Sequence, residues 1–414
     1  MASKALIPFL VGMMLLTGVC NTLFTKYQDN QCVRNCDDPD PKNREEFRQP
    51  VLQTAQMFVG EVGCWLVVGI MAVYEKYAHR KTNGYEALDT TDADEAAADE
   101  QPLVAPKPSK KKKRYTGPDG LLKGFGIILL ALPAICDILG TTLVNAGLYM
   151  VAASIYQMTR GALVLFVGLF SVVFLHRKLH LFQWVSLIGV VVGVALVGLA
   201  GVISPDAKAE VTDALRQAAE DAATAEALRA ALGVILIAGA QIFTATQFVL
   251  EEFLLERSSI EAIEVVGWEG LFGLAVTLIG MLVLHLVIGR TDAGRYGMFD
   301  AVEGFRQMTE YRAIWVSSIL TMISIGGFNF FGLSVTRSVS ATARSTIDSC
   351  RTLFIWIVSL GLGWETFKWL QVVGFVLLVY FTFLFNGVVQ PPIKALRPRE
   401  EVDELLPEEP IEHN

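Results

Sequence analysis

Long apolar blocks separated by short polar segments fill most of the 414-residue chain. A membrane-spanning helix needs about 20 mostly apolar residues, because the hydrocarbon core of a bilayer is about 30 Å thick. By this rule the pattern predicts ten spans, near residues 5–26, 51–74, 119–149, 152–175, 180–202, 229–252, 261–289, 313–336, 340–363 and 367–389. The sequence therefore predicts an all-α polytopic membrane protein.

Two of these assignments need a reason. The first block has the length of a signal peptide, but it lacks a strongly basic start and a small-x-small cleavage site before Lys26, so we interpret it as a retained span. The break between the third and fourth spans rests on residues 152–154 and on the excessive length of one helix from 119 to 175.

The polar segments divide the chain into six parts. These are spans 1 and 2 (1–75), a disordered cytosolic linker (76–118), spans 3–5 (119–202), a luminal loop (203–228), spans 6–10 (229–390) and an acidic tail (391–414). The linker is acidic and alanine-rich at 89–100, then contains prolines, a composition that cannot bury a core.

Basic residues indicate the orientation. Lys and Arg gather on the cytosolic side of membrane spans. The run KKKKR at 110–114, the turn at 176–178 and the segment 394–399 all fall on one face of a ten-span chain. We therefore expect both termini in the cytosol, with binding of the polybasic run to anionic lipid as the alternative reading.

An internal repeat appears at an offset of 185 residues, since 332 − 147 = 185. The offset aligns Gly147-Leu148 with Gly332-Leu333, Leu175 with Leu360, Phe182 with Phe367, Trp184 with Trp369 and Gly189 with Gly374. A duplicated unit of five spans enters the membrane in opposite directions, as in the inverted repeats of secondary transporters. The sequence thus predicts two inverted five-helix repeats with a site near the midplane.

Several polar strings inside the apolar blocks carry a family resemblance. They include YQMTRG at 156–161, AQ at 240–241 through EE at 251–252, VGWEGLFG at 266–273, SATAR at 340–344 and LGWE at 362–365. The chain resembles the drug/metabolite transporter superfamily, in the solute carrier 35 group and its F branch. The resemblance implies ten helices in a 5+5 inverted arrangement around a central cavity, the drug/metabolite transporter fold, and it does not imply a particular substrate.

Composition excludes other classes of protein. The chain is 53% hydrophobic and 18% charged, with mean hydropathy +0.45 and net charge −8. Soluble proteins carry about 25% charged residues, and an acidic chain does not suit nucleic acid. No catalytic motif, cofactor motif or metal-ligand spacing is present. We therefore expect no enzyme activity, no cofactor and no metal.

Acidic residues at membrane depth are candidates for function, because ionisable groups there are costly. Glu61 in the second span and Glu269 in the seventh occupy counterpart helices, so they are candidates to carry a proton or cation. Asp137 follows Pro133 by four residues, where a proline kink can open a polar niche. Helix packing is the alternative for each.

Arginines suit an anionic or zwitterionic solute. Arg160 lies in the fourth span, while Arg344, Asp348 and Arg351 share one face of the ninth. Asp348 can therefore pair with Arg344 or Arg351. A salt-bridge cluster with a structural or gating role is the alternative.

Further polar residues complete the set of candidates for binding the solute or coupling. They are Tyr156, Gln157, Gln241, Gln247 and Asn329. Polar stripes that include Thr244 on the sixth span, and Asn21, Thr22, Gln53 and Gln56 on the first two, suit helix–helix hydrogen bonds equally well. Gly189 and Gly193 allow close helix approach, which we interpret as packing, with a homodimer as the alternative.

Cysteines and tail motifs point to a compartment. Cys32 and Cys36 lie in a non-cytosolic loop, where an oxidising lumen permits a disulfide. The tail contains an acidic dileucine string with Glu401, Leu405 and Leu406, and the linker contains YEAL, with Tyr85 and Leu88. Both resemble signals that sorting adaptors bind. We therefore expect an endomembrane protein, in the lysosome, vacuole or endosome first and the Golgi second.

The sequence thus predicts a secondary-active transporter of a small polar or charged solute in a lipid bilayer, working by alternating access. The alternative is a non-transporting scaffold or receptor that binds a protein partner through its loops, at 204–230 and 292–311.

Overall fold

The computed structural model describes most of the membrane part of the chain. The described residues are 6–36, 45–83, 122, 124–148, 150, 159–202, 216–292, 294–363 and 367–391.

These residues form an α-helical bundle with one small antiparallel hairpin at one end. The helices are α1 (Leu6–Asp29), α2 (Pro50–Val62), α3 (Cys64–Asn83), α4 (Ala131–Leu148), α5 (Ala162–Phe174), α6 (Leu181–Val202), α7 (Arg216–Glu256), α8 (Ala262–Leu284), α9 (Ala301–Glu310), α10 (Arg312–Ser338), α11 (Ala341–Gly361) and α12 (Trp369–Phe385). The hairpin strands are β1 (Cys32–Arg34) and β2 (Glu45–Glu46). A 3₁₀ segment, Gly124–Leu130, precedes α4, and a π-helical turn, His285–Gly289, follows α8.

Many of these helices suit a bilayer. Within the described residues, six helical segments are long and apolar enough to cross a membrane: Leu6–Asp29, Pro50–Tyr77, Gly126–Gly147, Ala231–Glu256, Ala262–Gly289 and Arg312–Ser338. Large apolar side chains point outward from the bundle, including Leu66, Ile279 and Trp369 at 67%, 65% and 74% exposure. An apolar surface of this kind fits lipid better than water. The prediction of a polytopic helical membrane protein is confirmed at this level.

Two predicted boundaries are wrong. The linker was expected to begin at residue 76, but α3 continues to Asn83. The luminal loop was expected to extend to residue 228, but α7 begins at Arg216 and runs into the sixth span without a break. In both places the polar residues beside the span are alanine-rich or otherwise compatible with a helix, so the helix propagates past the apolar block.

Glycines bring α6 and α12 into backbone contact. A Cβ atom added at Gly193 would lie 2.9 Å from the carbonyl oxygen of Gly374, and one added at Gly189 would lie 2.3 Å from the ring of Phe381. Contacts this short leave no room for a side chain. The packing interpretation of Gly189 and Gly193 is therefore confirmed within the chain.

The loops between α1 and α2 and between α8 and α10 form a cap at one end of the bundle. Cys32 and Cys36 form a disulfide, with Cα atoms 5.8 Å apart, so the bond that the sequence left open is present. The hydroxyl of Tyr311 donates to the carbonyl oxygen of Val33 at 2.6 Å. We call this side of the bundle the disulfide end, and the opposite side, which carries Arg177, the Arg177 end.

Candidate functional site

Glu61 lies where α2 meets α3 in the second span, and Pro50–Tyr77 forms one helical segment across this point. α2 ends at Val62, Gly63 forms a turn, and α3 begins at Cys64. The Glu61 side chain is 4% exposed, and its Oε1 accepts a 2.6 Å hydrogen bond from Nδ2 of Asn329 in α10. A buried carboxylate held from a neighbouring helix thus lies next to the junction of α2 and α3.

Two glycine contacts hold α2 between α8 and α10. A Cβ atom at Gly270 of α8 would lie 2.6 Å from Cβ of Glu61. A Cβ atom at Gly60 would lie 2.2 Å from the carbonyl oxygen of Met322 in α10. The absence of side chains at these glycines places Glu61 deep in the bundle rather than on its surface.

Glu269 precedes Gly270 and therefore lies near Glu61. It is 7% exposed, and its Oε1 has no hydrogen-bond partner among the described residues. Glu61, Asp137 and Glu251 all act on it electrostatically, as does Arg344. We call Glu61, Asp137, Glu251 and Glu269, together with Arg344, the carboxylate centre.

Arg344 is the cation of this centre. It is 1% exposed and is the largest fully buried side chain of the described residues. Its guanidinium pairs with Glu251 of α7 and lies 4.1 Å above the ring of Phe248. A Cβ atom at Gly332 would lie 2.9 Å from Arg344 Nε, so the glycine leaves space for the arginine.

Of the two arginines predicted as possible partners of Asp348, Arg351 is the one that pairs with it, and Arg344 is not. Arg344 and Asp348 share a face of α11, but Arg344 points to α7, whose buried carboxylate supplies a partner across the interface. Asp348 instead pairs with Arg351, with 3.2 Å between Oδ1 and Nε, and with Arg160, with 3.6 Å between Oδ2 and Nη2.

A cleft opens beside this second ion-pair group. It has a volume of about 310 Å³ including its open mouth, and its lining residues are Arg160, Gly161, Leu163, Val194, Asp348, Ser349 and Thr352. The Arg160 side chain is 28% exposed, whereas that of Asp348 is 8% exposed. We call Arg160, Asp348 and Arg351, with the hydroxyls of Ser349 and Thr352, the arginine cleft.

Glu251 and Glu252 were not predicted as functional candidates from the sequence, although both lie in one of the polar strings that carry the family resemblance. Glu252 is 1% exposed, and it accepts hydrogen bonds from Arg177 at 2.8 Å and from the backbone N–H of Ala341 at 3.0 Å. It therefore ties the turn before α6 to the start of α11. Two adjacent acids inside an apolar block were the available signal.

The remaining candidates lie in different places, and some lie outside the described residues. Asp137 is partly buried in α4, just after the change from 3₁₀ to α-helix that precedes Pro133. Gln247 donates to Glu251 at 3.0 Å, whereas Gln241 donates to the carbonyl of Ile237 in its own helix at 3.3 Å. Outside the described residues lie Tyr156, Gln157, Tyr85, Leu88, Glu401, Leu405 and Leu406.

Known proteins are similar to this sequence along nearly its full length. Solute carrier family 35 member F6 of Homo sapiens is 33% identical over 96% of this chain and 94% of its own length. The chain belongs to the F branch of solute carrier family 35. The same member from Pongo abelii is 34% identical over 96% and 94% of the two chains, and an uncharacterized protein of Schizosaccharomyces pombe is 35% identical over 92% and 97%.

Two further comparisons give broader likenesses. The family model for nucleotide-sugar transporters matches residues 119–259. One solved crystal structure has a TM-score of 0.55 and 9% identity, covering 93% of this chain and 98% of that one, which shows a shared fold alone. This solute carrier family 35 protein is thus a membrane transporter of a small molecule and not an enzyme.

Proposed function

We propose that the chain is a secondary-active carrier of a small polar or charged solute, working by alternating access between two inverted five-helix repeats. The observation that carries this proposal is the carboxylate centre. Its members come from α2 and α4 in the first half of the sequence and from α7, α8 and α11 in the second. A charged site shared by both halves is what a carrier needs if the halves rock about it.

The carboxylate centre supports proton coupling. Four carboxyl groups surround one guanidinium, and a buried charge without compensation is costly. Binding a proton at Glu61 or Glu269 lowers that cost and links the charge of the centre to the pH on the side to which it opens. Glu269 Oε1 has no hydrogen-bond partner among the described residues, so it is available to hold such a proton.

The arginine cleft supports a polar or charged solute. Two guanidinium groups, of Arg160 and Arg351, contact one carboxylate, Asp348. Hydroxyls on one wall and the apolar side chains of Leu163 and Val194 on another suit a molecule with a charged group and a less polar body. Nucleotide sugars, the class in the name of the matching family model, belong in the panel of test solutes.

Metabolite profiling of purified organelles from cells with and without the protein, followed by counterflow in liposomes, tests the carrier. We expect a solute that changes in the organelle, exchanges in liposomes and fails to exchange with Arg160→Ala. Arg290→Ala is the matched control, because Arg290 is exposed in the loop after α8. No altered pool and no exchange would instead favour a scaffold.

The scaffold alternative has less support. Its candidate partner surfaces were the segments 204–230 and 292–311. In the second, α9 buries Glu303, Gly304 and Gln307 against its own chain. In the first, residues 204–215 lie outside the described residues. A scaffold would tolerate Arg160→Ala, so the same experiment separates the two functions.

Proton coupling has its own test. We expect Glu61→Gln combined with Glu269→Gln to abolish the pH dependence of uptake, because an amide does not bind and release a proton as a carboxylate does. Uptake in proteoliposomes is measured across an imposed pH gradient. A pH dependence equal to that of the unmodified protein would contradict coupling at these residues.

For the compartment, we propose an endomembrane, with the disulfide end in the lumen and both termini in the cytosol. A disulfide forms readily in an oxidising lumen. The sorting strings suit the lysosome, vacuole or endosome first and the Golgi second, and sorting adaptors would be the partners. Tyr85→Ala with Leu405→Ala should redirect a tagged protein, and an unchanged distribution would contradict the role of these strings.

A further inference from the structure

A chain of hydrogen-bonded polar side chains enters the bundle from the disulfide end. Gln53 of α2 donates to Asp29 at 2.5 Å and to Gln28 at 3.3 Å, both in α1. Gln28 and Gln56 then both donate to the hydroxyl of Ser318 in α10 at 2.8 Å. The chain therefore joins three helices. They are α1 and α2, which flank the first loop of the cap, and α10, which follows the second loop.

The inner members of this chain are buried. Gln28, Gln56 and Ser318 are 0%, 3% and 2% exposed. Helix–helix hydrogen bonding alone would satisfy each polar atom, because an unsatisfied one is costly in an apolar interior. Here Gln56 Oε1 and the hydroxyl of Thr321, one turn deeper in α10 than Ser318, have no partner among the described residues. Buried polar atoms of this kind are the usual positions of internal water.

The chain leads towards Glu61. Gln56 and Glu61 are five residues apart in α2, which is about 7.5 Å along the helix axis at 1.5 Å per residue. A few hydrogen-bonded waters would be enough to span that distance. Within it, a Cβ atom at Gly60 would lie 2.2 Å from the Met322 carbonyl oxygen, and one at Gly326 would lie 2.7 Å from the Gly60 carbonyl oxygen. Backbone contact therefore closes the path in this conformation.

We propose that the interface of α1, α2 and α10 is the route by which a proton reaches Glu61 from the disulfide end, with the contact of Gly60 and Gly326 as its closed gate. This inference rests on the proposed proton coupling. The proton passes from bulk water along internal waters to the Glu61 carboxylate. The glutamines and hydroxyls only orient those waters, so no other bond is made or broken.

Glu61 is faced by charged or titratable groups from several packed helices. The titratable and charged groups that face it from the packed helices are Asp137 of α4, Glu251 of α7, Glu269 of α8, Arg344 of α11 and the Cys64 thiol of α3. From α10 it meets Asn329, which is uncharged. Glu46 and Arg48 act on Asp29 at the outer mouth of the route. Protons thus meet a charged mouth, a polar path and then the carboxylate.

The proton itself is the probe in the experiment. The full chain is reconstituted with its disulfide end facing the bath, the bath pH is lowered rapidly, and the infrared C=O band of a protonated buried carboxyl group is followed. Glu61→Gln identifies the part of the band that belongs to Glu61. We expect Thr321→Val and Ser318→Ala to reach the full band about tenfold more slowly, which corresponds to a barrier higher by the worth of about one hydrogen bond.

The variants separate a route from a packing role. Thr321→Val removes a hydroxyl without a described partner, so the melting temperature should not fall. Gln371→Leu is the matched control, because Gln371 is also buried with an unpartnered Oε1 but lies in α12, away from the chain. It should leave the rate unchanged.

Three results would count against the route, and one of them reaches further. Unchanged rates in both Thr321→Val and Ser318→Ala, or equal slowing in Gln371→Leu, would overturn the route while leaving coupling at Glu61 intact. A band that Glu61→Gln does not alter would overturn the coupling itself, and the route with it.

Discussion

Arg344 and Arg351 lie two turns apart on the same face of α11, yet their surroundings differ. Arg344 is 2% exposed at its side chain and pairs with Glu251, which is 1% exposed. Arg351 is 8% exposed and contacts Asp348, which also contacts Arg160, a residue 28% exposed and lining an open cleft. Water reaches one group and not the other.

The difference indicates what each arginine can do. In a dry site an ion pair cannot exchange partners without exposing an uncompensated charge, so Arg344 and Glu251 are suited to hold α7 and α11 together. In the cleft, water or the charged group of a solute can replace Asp348 at Arg160. The buried Arg344 thus joins two helices, whereas the ion pairs of the arginine cleft can exchange partners.

The largest effect should follow from breaking the dry pair. Arg344→Leu leaves Glu251 buried without its cation, and we expect a loss of about 3–5 kcal/mol in stability. Thermal unfolding in detergent measures it. Adding Glu251→Leu should recover much of the loss, because the carboxylate that pairs directly with Arg344 is then no longer left buried without its cation. A single variant as stable as the unmodified protein would remove the contrast between the two sites.

A smaller effect on stability is expected in the cleft. Arg160→Gln should change the free energy of unfolding by about 1 kcal/mol or less, because solvent screens a partly exposed pair. The same unfolding experiment compares it with Arg344→Leu. Arg160→Lys, which keeps the charge, is the control. Equal destabilisation by Arg160→Gln and Arg344→Leu would mean that the cleft is as dry as the carboxylate centre.

The smallest effect is expected at an ion pair outside the bundle. Burial tends to raise the pKa of Glu303, but hydrogen bonds from Arg306 and Gln307 and the charge of Arg34 bring it below the ordinary value of 4.5. The ionised form is thus the one that the fold favours. Its contribution should be complete above pH 4.5 and lost as the pH falls through the lower folded pKa.

The melting temperatures of the unmodified protein and of Glu303→Gln, followed against pH, test this expectation. The gap between them should close on acidification, since other carboxyl groups titrate in both proteins. A gap that stays constant with pH would show that Glu303 acts through packing rather than charge.

Local features of the sequence were predictable, and contacts between helices were not. Within the described residues, the apolar blocks predicted five of the six membrane-length helical segments to within about four residues at each end. The short spacing of Cys32 and Cys36 allowed their bond. The partner of Arg344 was not predictable, because Glu251 lies on another helix. Gly332 leaves space for the guanidinium, but a glycine in the sequence does not indicate which carboxylate that guanidinium contacts.

The polar chain gives the same lesson. Gln53 and Gln56 stood out as a stripe, but Gln28 and Ser318 are separated by 290 positions. No periodicity along the chain can show that two helices so far apart in sequence align at that depth. The proposed inverted repeat, read from the 185-residue offset, stays a prediction for the same reason.

The length of α7 has a consequence for the part of the protein outside the bilayer. The helix has 41 residues and is about 60 Å long, twice the thickness of the hydrocarbon core. Its apolar part is Ala231–Glu256, so residues 216–230 project from the disulfide end as a continuation of a span. Proteolysis depends on segments that open locally, and a helix anchored in the bundle must unwind before it can be cut. We therefore expect residues 216–230 to resist proteolysis for as long as this helix stays wound.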